Sequence, residues 1–253
     1  MPMHDWTRVD PNDYHTFQFA WIAAIFHDLN NGRLPAGCYA MVDHTPPVVW
    51  DEVPPPTADD QTLASPVIVD ANQAGGVAIP PLFVGLIKAR ASGRKQRSSG
   101  RHRVVIKHAR SGLVIAAIEI VSPSNKARKS EFADLVRKSV ELLQQGGNVL
   151  LIDPFPPTAR DPNGIHAAVW KRLTRKPFTP PAGKPITFAS YVARGANTFS
   201  AFVEPLTVGD RLPDMPLFLT SELHVPTPLE ETYQTAWQGF PAPLRAVVEG
   251  VGA

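Results

Sequence analysis

Residues 112–126, Gly-Leu-Val-Ile-Ala-Ala-Ile-Glu-Ile-Val-Ser-Pro-Ser-Asn-Lys, decide the fold of this chain. The uncharged run before Glu119 is typical of a strand that is buried on both faces. The Ser-Pro-Ser-Asn step after it is a turn signal, and a basic helix is predicted to follow. Because an ionised carboxylate in a buried strand needs a partner, Glu119 predicts a metal or phosphate site at the end of this strand.

The patterns on both sides of this strand alternate between helix and strand. Apolar residues recur at helical spacing over 13–31 and 127–145, and shorter helices are predicted at 164–174 and around 229–238. Strands are predicted at 38–42, 48–50, 67–70, 82–88, 103–108, 113–121, 148–153, 186–192 and 200–203. This order predicts an α/β (α+β) fold in which helices flank a mixed sheet.

The 253 residues are interpreted as a single domain, 1–253. Its core is placed at about 13–153, with a C-terminal β/α extension of about 154–253 packed on it. A basic flexible loop is predicted at about 89–101. The 27 prolines of the chain favour extended, irregular connections between these parts.

The composition excludes several classes of protein. A single cysteine, Cys38, cannot form an internal disulfide or a paired-cysteine zinc site. No apolar stretch approaches the length of a membrane helix, and the N-terminal residues lack the pattern of a secretory signal. We therefore expect a cytoplasmic protein with no membrane partner.

Positive charge is concentrated in the middle of the chain. Between Lys88 and Lys138 there are fourteen Lys and Arg residues against three acids, although the whole chain carries only +2. Such an excess is typical of a protein that binds nucleic acid or another polyanion, but a soluble, flexible loop explains residues 89–101 equally simply. The candidate nucleic-acid contacts are Arg94, Lys95, Arg97, Arg101, Arg103 and Lys107.

Several motifs resemble the domain of unknown function 4058 family. They are the start Met3-His4-Asp5-Trp6, a helix like Tyr14 to Trp21, the Leu34-Pro-Ala-Gly-Cys-Tyr39 step, and the Glu119 to Lys126 string combined with Ile152-Asp153. This resemblance covers most of the chain. Over about forty residues, the chain more distantly resembles the Uma-type branch of the PD-(D/E)XK restriction-endonuclease-like superfamily.

The resemblance implies an α-β-β-β-α-β core with a Mg²⁺ site at the edge of the sheet. Glu119 would be the acidic metal ligand, the carbonyl of Ile120 would complete the metal shell, and Lys126 would orient the attacking water. Two carboxylates hold the ion in such sites, and the metal and lysine stabilise charge on the phosphate. The implied reaction is Mg²⁺-dependent phosphodiester hydrolysis.

The chain departs from that pattern at two positions. The lysine expected two residues after the glutamate is replaced by Val121, for which Lys126 or Lys107 are the substitutes. The aspartate of the Pro-Asp half-motif is replaced by Pro47, for which Asp43, Asp51 and Asp70 are the candidates. A metal site that has lost one carboxylate binds Mg²⁺ poorly, so an inactive protein is as well supported as an active one.

Structural interpretations stand beside these functional ones. Lys126 could be an exposed residue of the helix start, Ser122 and Asn125 fit turn and helix-cap roles, and Asp153 could simply end its strand. His15 and Gln18 are further candidate ligands on the first helix, or solvated polar residues. The alternative function is a non-catalytic nucleic-acid-binding or scaffold protein on the same fold, with Glu119 paired to Lys107 or Lys126.

Overall fold

The computed structural model describes residues 3–45, 101–195 and 197–250. Several predictions lie outside these residues: the strands at 48–50, 67–70 and 82–88, the carboxylates of Asp51 and Asp70, and residues 89–100 of the basic loop. That loop includes three candidate contacts, Arg94, Lys95 and Arg97.

Six α-helices and eight strands make up most of the described fold, with a 3₁₀-helix at Trp6–Arg8 and a π-helix at Leu29–Arg33. The helices are α1 (Pro11–Asp28), α2 (Pro123–Ala127), α3 (Lys129–Gln144), α4 (Gly164–Thr174), α5 (Leu229–Gly239) and α6 (Ala242–Glu249). The strands are β1 (Cys38–Thr45), β2 (Arg101–His108), β3 (Val114–Ile120), β4 (Asn148–Asp153), β5 (Ile186–Gly195), β6 (Thr198–Leu206), β7 (Asp214–Phe218) and β8 (His224–Pro228).

One six-stranded sheet organises the chain, with its strands in the sequential order β1 to β6. Strands β3 and β4 are parallel, and every other neighbouring pair is antiparallel. Helices α2 and α3 connect the parallel pair, as a parallel connection requires. Strands β7 and β8 form a separate hairpin. The predicted α+β arrangement, a mixed sheet flanked by helices, is confirmed.

The sheet separates two apolar clusters because alternate side chains of each strand point to opposite faces. Ile118 and Leu150 point to the face covered by α1, α5 and the β7–β8 hairpin. Leu151 and Tyr191 point to the opposite face, which is covered by α3 and α4. Strand β3 is buried on both faces from Ile115 to Ile120, as its apolar sequence predicted.

The boundaries differ from the sequence-based prediction at informative places. The helix predicted at 127–145 corresponds to α3, which begins only at Lys129 because Arg128 is extended (φ −121°, ψ 141°). The short helix α2 before it lies where a turn was predicted. Strand β1 continues past residue 42 because it pairs with β2 as far as Thr45. Helix α6 was not predicted. The β7–β8 hairpin was not predicted either, because Pro216, Pro226 and Pro228 lie inside or at the end of its strands.

Among the described residues, no helix is both long and apolar enough to cross a membrane.

Candidate functional site

Strands β1, β2 and β3 bring three charged side chains together on one face of the sheet. Asp43 is paired directly with Arg103, and the pairing of Val104 with Ile118 places Arg103 beside Glu119. The Nη1 atom of Arg103 donates to Oε1 of Glu119 at 3.0 Å. Its Nε and Nη2 atoms lie 3.0 and 2.9 Å from Oδ2 of Asp43. We call this group the Arg103 bridge.

The Arg103 bridge runs from the sheet interior towards solvent. The side chain of Glu119 is 8% exposed, that of Arg103 is 24% exposed and that of Asp43 is 37% exposed. Burial alone would lower the pKa of Arg103, but the carboxylates of Glu119 and Asp43 outweigh this effect and raise the pKa above its ordinary value. The guanidinium therefore stays charged and supplies the partner that the buried Glu119 requires.

This arrangement does not fit a Mg²⁺ ion as it stands. Mg²⁺ requires oxygen ligands at about 2.1 Å in an octahedron, whereas the guanidinium of Arg103 already occupies the space between the two carboxylates. The Ile120 carbonyl, expected to complete the metal shell, accepts a hydrogen bond from Nε2 of Gln18 at 2.6 Å. The described residues contain no group of three or more His, Cys, Asp or Glu side chains able to hold a metal ion.

Helix α1 fixes the end of β3 from the other side of the sheet. Besides the bond from Gln18 to Ile120, the hydroxyl of Tyr14 donates to the carbonyl of Val121 at 3.1 Å. The Nδ1 atom of His15 lies 3.0 Å from Oε1 of Gln18 and orients that amide. His15 and Gln18, predicted as candidate ligands, thus lie beside the residue that follows Glu119, and Gln18 binds backbone there.

Lys126 lies in a second, deeper ionic group. Its Nζ atom is 2.8 Å from Oδ2 of Asp153 and 2.9 Å from Oδ2 of Asp161, and the three side chains are 4%, 1% and 0% exposed. The carbonyls of Phe155 and Pro156 accept from the same ammonium at 3.3 and 3.2 Å. We call these residues the Lys126 cluster. It ties the end of α2 to the end of β4 and the loop that follows.

The interpretation of Lys126 as an exposed helix-start residue is therefore wrong. The expected ion pair between Glu119 and Lys107 or Lys126 is wrong as well, because Arg103 holds Glu119. Lys126 was also predicted to orient water beside Glu119, but the observed ion pairs of its ammonium are with Asp153 and Asp161 instead.

Burial raises the pKa of Asp153 to about 6, and repulsion from Asp161 adds to that shift. The ion pair with Lys126 and the backbone N–H of Phe155 act in the opposite direction. One lysine side chain thus faces two buried acids, an arrangement that burial makes costly.

Other predicted residues have simpler positions. Asn125 accepts from the backbone N–H of Ser122 at 2.9 Å, which confirms the predicted helix cap. Lys107 is partly buried on β2, opposite Tyr39, and makes no ion pair with a described residue. Arg101 is the first residue of β2 and pairs with Thr45, the last residue of β1.

Two functional roles were missed at the level of sequence. Arg103 was considered only as a nucleic-acid contact, and Asp161 was not considered at all. The available signal for Asp161 was local: its Oδ1 atom accepts from the backbone N–H of Thr158 at 2.9 Å, as short polar side chains do in turns. No comparable local signal pairs Arg103 with Glu119, because their contact depends on strand register.

Comparisons of this chain with family models, with curated proteins and with solved structures found no match.

Proposed function

We propose that this protein is a non-catalytic scaffold on a restriction-endonuclease-like core, in which Arg103 occupies the place of the catalytic metal ion. The observation that carries the proposal is the Arg103 bridge, where one guanidinium holds both carboxylates of the expected metal site. The membership of the domain of unknown function 4058 family, and the more distant PD-(D/E)XK relationship, are part of the same proposal.

The order of elements supports a nuclease-like core. Helix α1 is followed by β1, β2 and β3, then by the α2–α3 connection and β4, which is the α-β-β-β-α-β order that the resemblance implies. Strand β3 carries Glu119 and is parallel to β4. The resemblance implies two carboxylates at the metal site, and Asp43 and Glu119 flank the strand that carries Arg103.

Electrostatics favours a scaffold over a hydrolase. Two carboxylates that face each other across β2 repel each other unless a cation lies between them. A guanidinium supplies a permanent cation in a fork geometry that suits carboxylates. A guanidinium neutralises charge but, unlike a metal ion, does not bind and activate a water molecule. The lysine that would assist hydrolysis, Lys126, is bound by two other acids.

A Mg²⁺-dependent phosphodiester hydrolase with a degraded metal site is the second candidate function. It is favoured by one observation: Asp43 and Glu119 both lie within 3.0 Å of the same guanidinium, so they face a common space. Movement of Arg103 out of that space would leave two carboxylates for an ion to bridge. In this case Mg²⁺, if bound, would supply the Lewis acid, and Asp43 and Glu119 would hold it.

Substitution of Arg103 tests whether its guanidinium takes the place of a metal ion. In Arg103→Ala, two facing carboxylates lose their counter-charge, so we expect a loss of about 2 to 4 kcal/mol in unfolding free energy, part of which Mg²⁺ restores. The matched control is Arg137→Ala, which removes an arginine that also bridges two acids, Asp134 and Glu141, but is 45% exposed. That variant should lose about 1 kcal/mol or less and should not respond to Mg²⁺.

The measurement is urea denaturation of each protein with excess EDTA and with excess Mg²⁺, alongside a cleavage assay on labelled oligonucleotides. A scaffold should show no Mg²⁺-dependent stabilisation and no cleavage in its native sequence. Cleavage by the native protein that Glu119→Gln abolishes, with folding retained, would establish the hydrolase and refute the scaffold.

A further inference from the structure

A long stretch of the C-terminal extension carries only positive charge. From Pro162 to Val203, the chain contains six Lys and Arg residues and no Asp or Glu. Four of the six cations fall within the six residues 171–176, at the end of α4. The positive segment predicted from the sequence lay elsewhere, between Lys88 and Lys138, so this concentration is a separate feature.

The fold of α4 directs these four side chains into solvent. The helix buries Ile165 and Val169 against the sheet, while Lys171, Arg172, Arg175 and Lys176 are all exposed. None of the four side chains forms an ion pair with any residue of the described ranges. We call these four residues the α4 basic surface.

Backbone hydrogen bonds hold the α4 basic surface in place. The N–H of Arg175 donates to the carbonyl of Lys171 at 2.9 Å, with Arg175 in the left-handed conformation that ends the helix. The N–H of Lys176 donates to Oγ1 of Thr174 at 3.2 Å. Cations at a helix C-terminus stabilise the helix dipole, but Arg175 and Lys176 lie beyond the last helical residue. The accumulation of charge therefore exceeds what capping the helix explains.

This surface is separate from the two ionic groups described above. Helix α4 begins at Gly164, which lies against Thr187, the strand partner of Asp153. Eleven helical residues span about 16 Å, so the helix C-terminus is directed away from the end of the sheet that holds the Lys126 cluster.

We propose that the α4 basic surface binds the phosphodiester backbone of a nucleic acid. Closely spaced Lys and Arg side chains without counter-charges match the regular anionic spacing of such a backbone. An anionic membrane is the less suitable partner, because helices that bind membranes present an apolar face to lipid, and the apolar side of α4 is packed on the sheet. The large exposed apolar side chains of the described residues also lie outside 164–184.

The neighbouring aromatic residues indicate binding without sequence selectivity. The ring of His166 is stacked near that of Trp170, with centroids 6.1 Å apart, and Phe178 packs edge-on against it at 4.4 Å. These rings brace the segment through His166 instead of forming a free stacking platform for bases. Recognition then depends on phosphate contacts, which carry no sequence information.

Two double variants with the same loss of charge test this surface. Arg172→Gln with Lys176→Gln removes one arginine and one lysine from the α4 basic surface. Arg128→Gln with Lys129→Gln removes the same pair from an exposed site at the start of α3. The assay is fluorescence anisotropy of the full chain with labelled single-stranded and duplex 20-residue oligonucleotides over a range of salt concentrations, with phosphatidylserine vesicles as a separate probe.

We expect the α4 double variant to bind the oligonucleotides roughly ten-fold or more weakly at moderate salt. Its salt slope for the single strand should fall by about 1.4, since each lost phosphate contact removes about 0.7. The α3 double variant should retain the native slope. Equal losses in both variants, or no binding by the native protein, would overturn the proposal. Binding to vesicles in preference to oligonucleotides would overturn it as well, because the partner would then be a membrane.

Discussion

Replacement of Lys126 by methionine should be among the most damaging substitutions in this protein. The ammonium lies 2.8 and 2.9 Å from carboxylate oxygens of Asp153 and Asp161, and all three side chains are almost completely buried. Methionine preserves much of the volume and removes the charge. The two carboxylates then remain buried together without a cation.

The magnitude follows from these distances. At an effective dielectric constant of about 20, each ion pair contributes about 6 kcal/mol of attraction. The two carboxylate oxygens are at most the sum of those two distances apart, so their mutual repulsion is at least about 3 kcal/mol. The desolvation cost of burying the ammonium offsets much of this electrostatic attraction. Removal of one partner from a buried ion pair therefore typically costs about 3 to 5 kcal/mol. We expect about 4 kcal/mol for Lys126→Met at pH 7.

The dependence on pH identifies the cause. In the native protein the pKa of Asp153 is about 6, above the ordinary 3.8, so the folded state binds this proton more tightly than the unfolded state. Its contribution to stability therefore falls as pH rises from about 4 to about 6. Without Lys126 the pKa rises further, so the deficit of the variant should shrink between pH 7 and pH 5 as the carboxylate becomes protonated.

Urea denaturation at pH 7 and pH 5 measures this deficit, and Lys129→Met, at an exposed lysine three residues along the chain, is the control. A second substitution, Asp153→Asn in the Lys126→Met background, should recover part of the loss because it removes one of the two unpaired charges. A deficit below about 1 kcal/mol at pH 7, or one that is the same at both pH values, would refute the assignment of Lys126 as the central cation.

Two further predictions concern buried histidines and their partners. Burial lowers the pKa of His166 to about 4, so the folded protein keeps the imidazole neutral. The stability of the protein should therefore fall by up to about 3 kcal/mol as the pH drops from about 6.5 to about 4. His166→Gln should flatten the stability profile in that window, and parallel profiles for the two proteins in urea denaturation would contradict this. Tyr233→Phe removes the hydroxyl that contacts Nδ1 of His4 at 2.8 Å and accepts from Nε1 of Trp6 at 3.1 Å. Because both partners are buried, the substitution should lower the free energy of unfolding by about 1 to 3 kcal/mol in thermal or urea denaturation. The control is Tyr39→Phe, at a partly exposed tyrosine. An equal loss in both variants would show that the Tyr233 hydroxyl is unimportant.

Local pattern predicted much of the fold. The apolar run before Glu119 and the run that ends at Asp153 are both buried strands, and the amphipathic spacing of residues 13–31 corresponds to α1 and the turn after it. These elements have strong periodicity, and periodicity depends only on which face of an element is buried. Where prolines interrupt the pattern, as in β7 and β8, the same reasoning found nothing.

The candidate site was only partly predictable. The sequence indicated that Glu119 is buried and in need of a partner, and this is correct. It did not indicate that the partner is Arg103, sixteen residues earlier, since that contact exists only because Val104 is aligned with Ile118. A shift of one residue in this register would turn Arg103 to the opposite face of the sheet.

By itself, the amino-acid sequence determined that a mixed α+β fold would form and that a carboxylate would be carried into its interior by β3. Only the tertiary structure decided which cations would neutralise the buried acids, Arg103 for Glu119 and Lys126 for Asp153 and Asp161. The physical reason is the range of the forces involved. Hydrophobic patterning acts through near neighbours in the chain, whereas an ion pair requires atoms within about 4 Å, and only the pairing of distant strands and loops brings those atoms together.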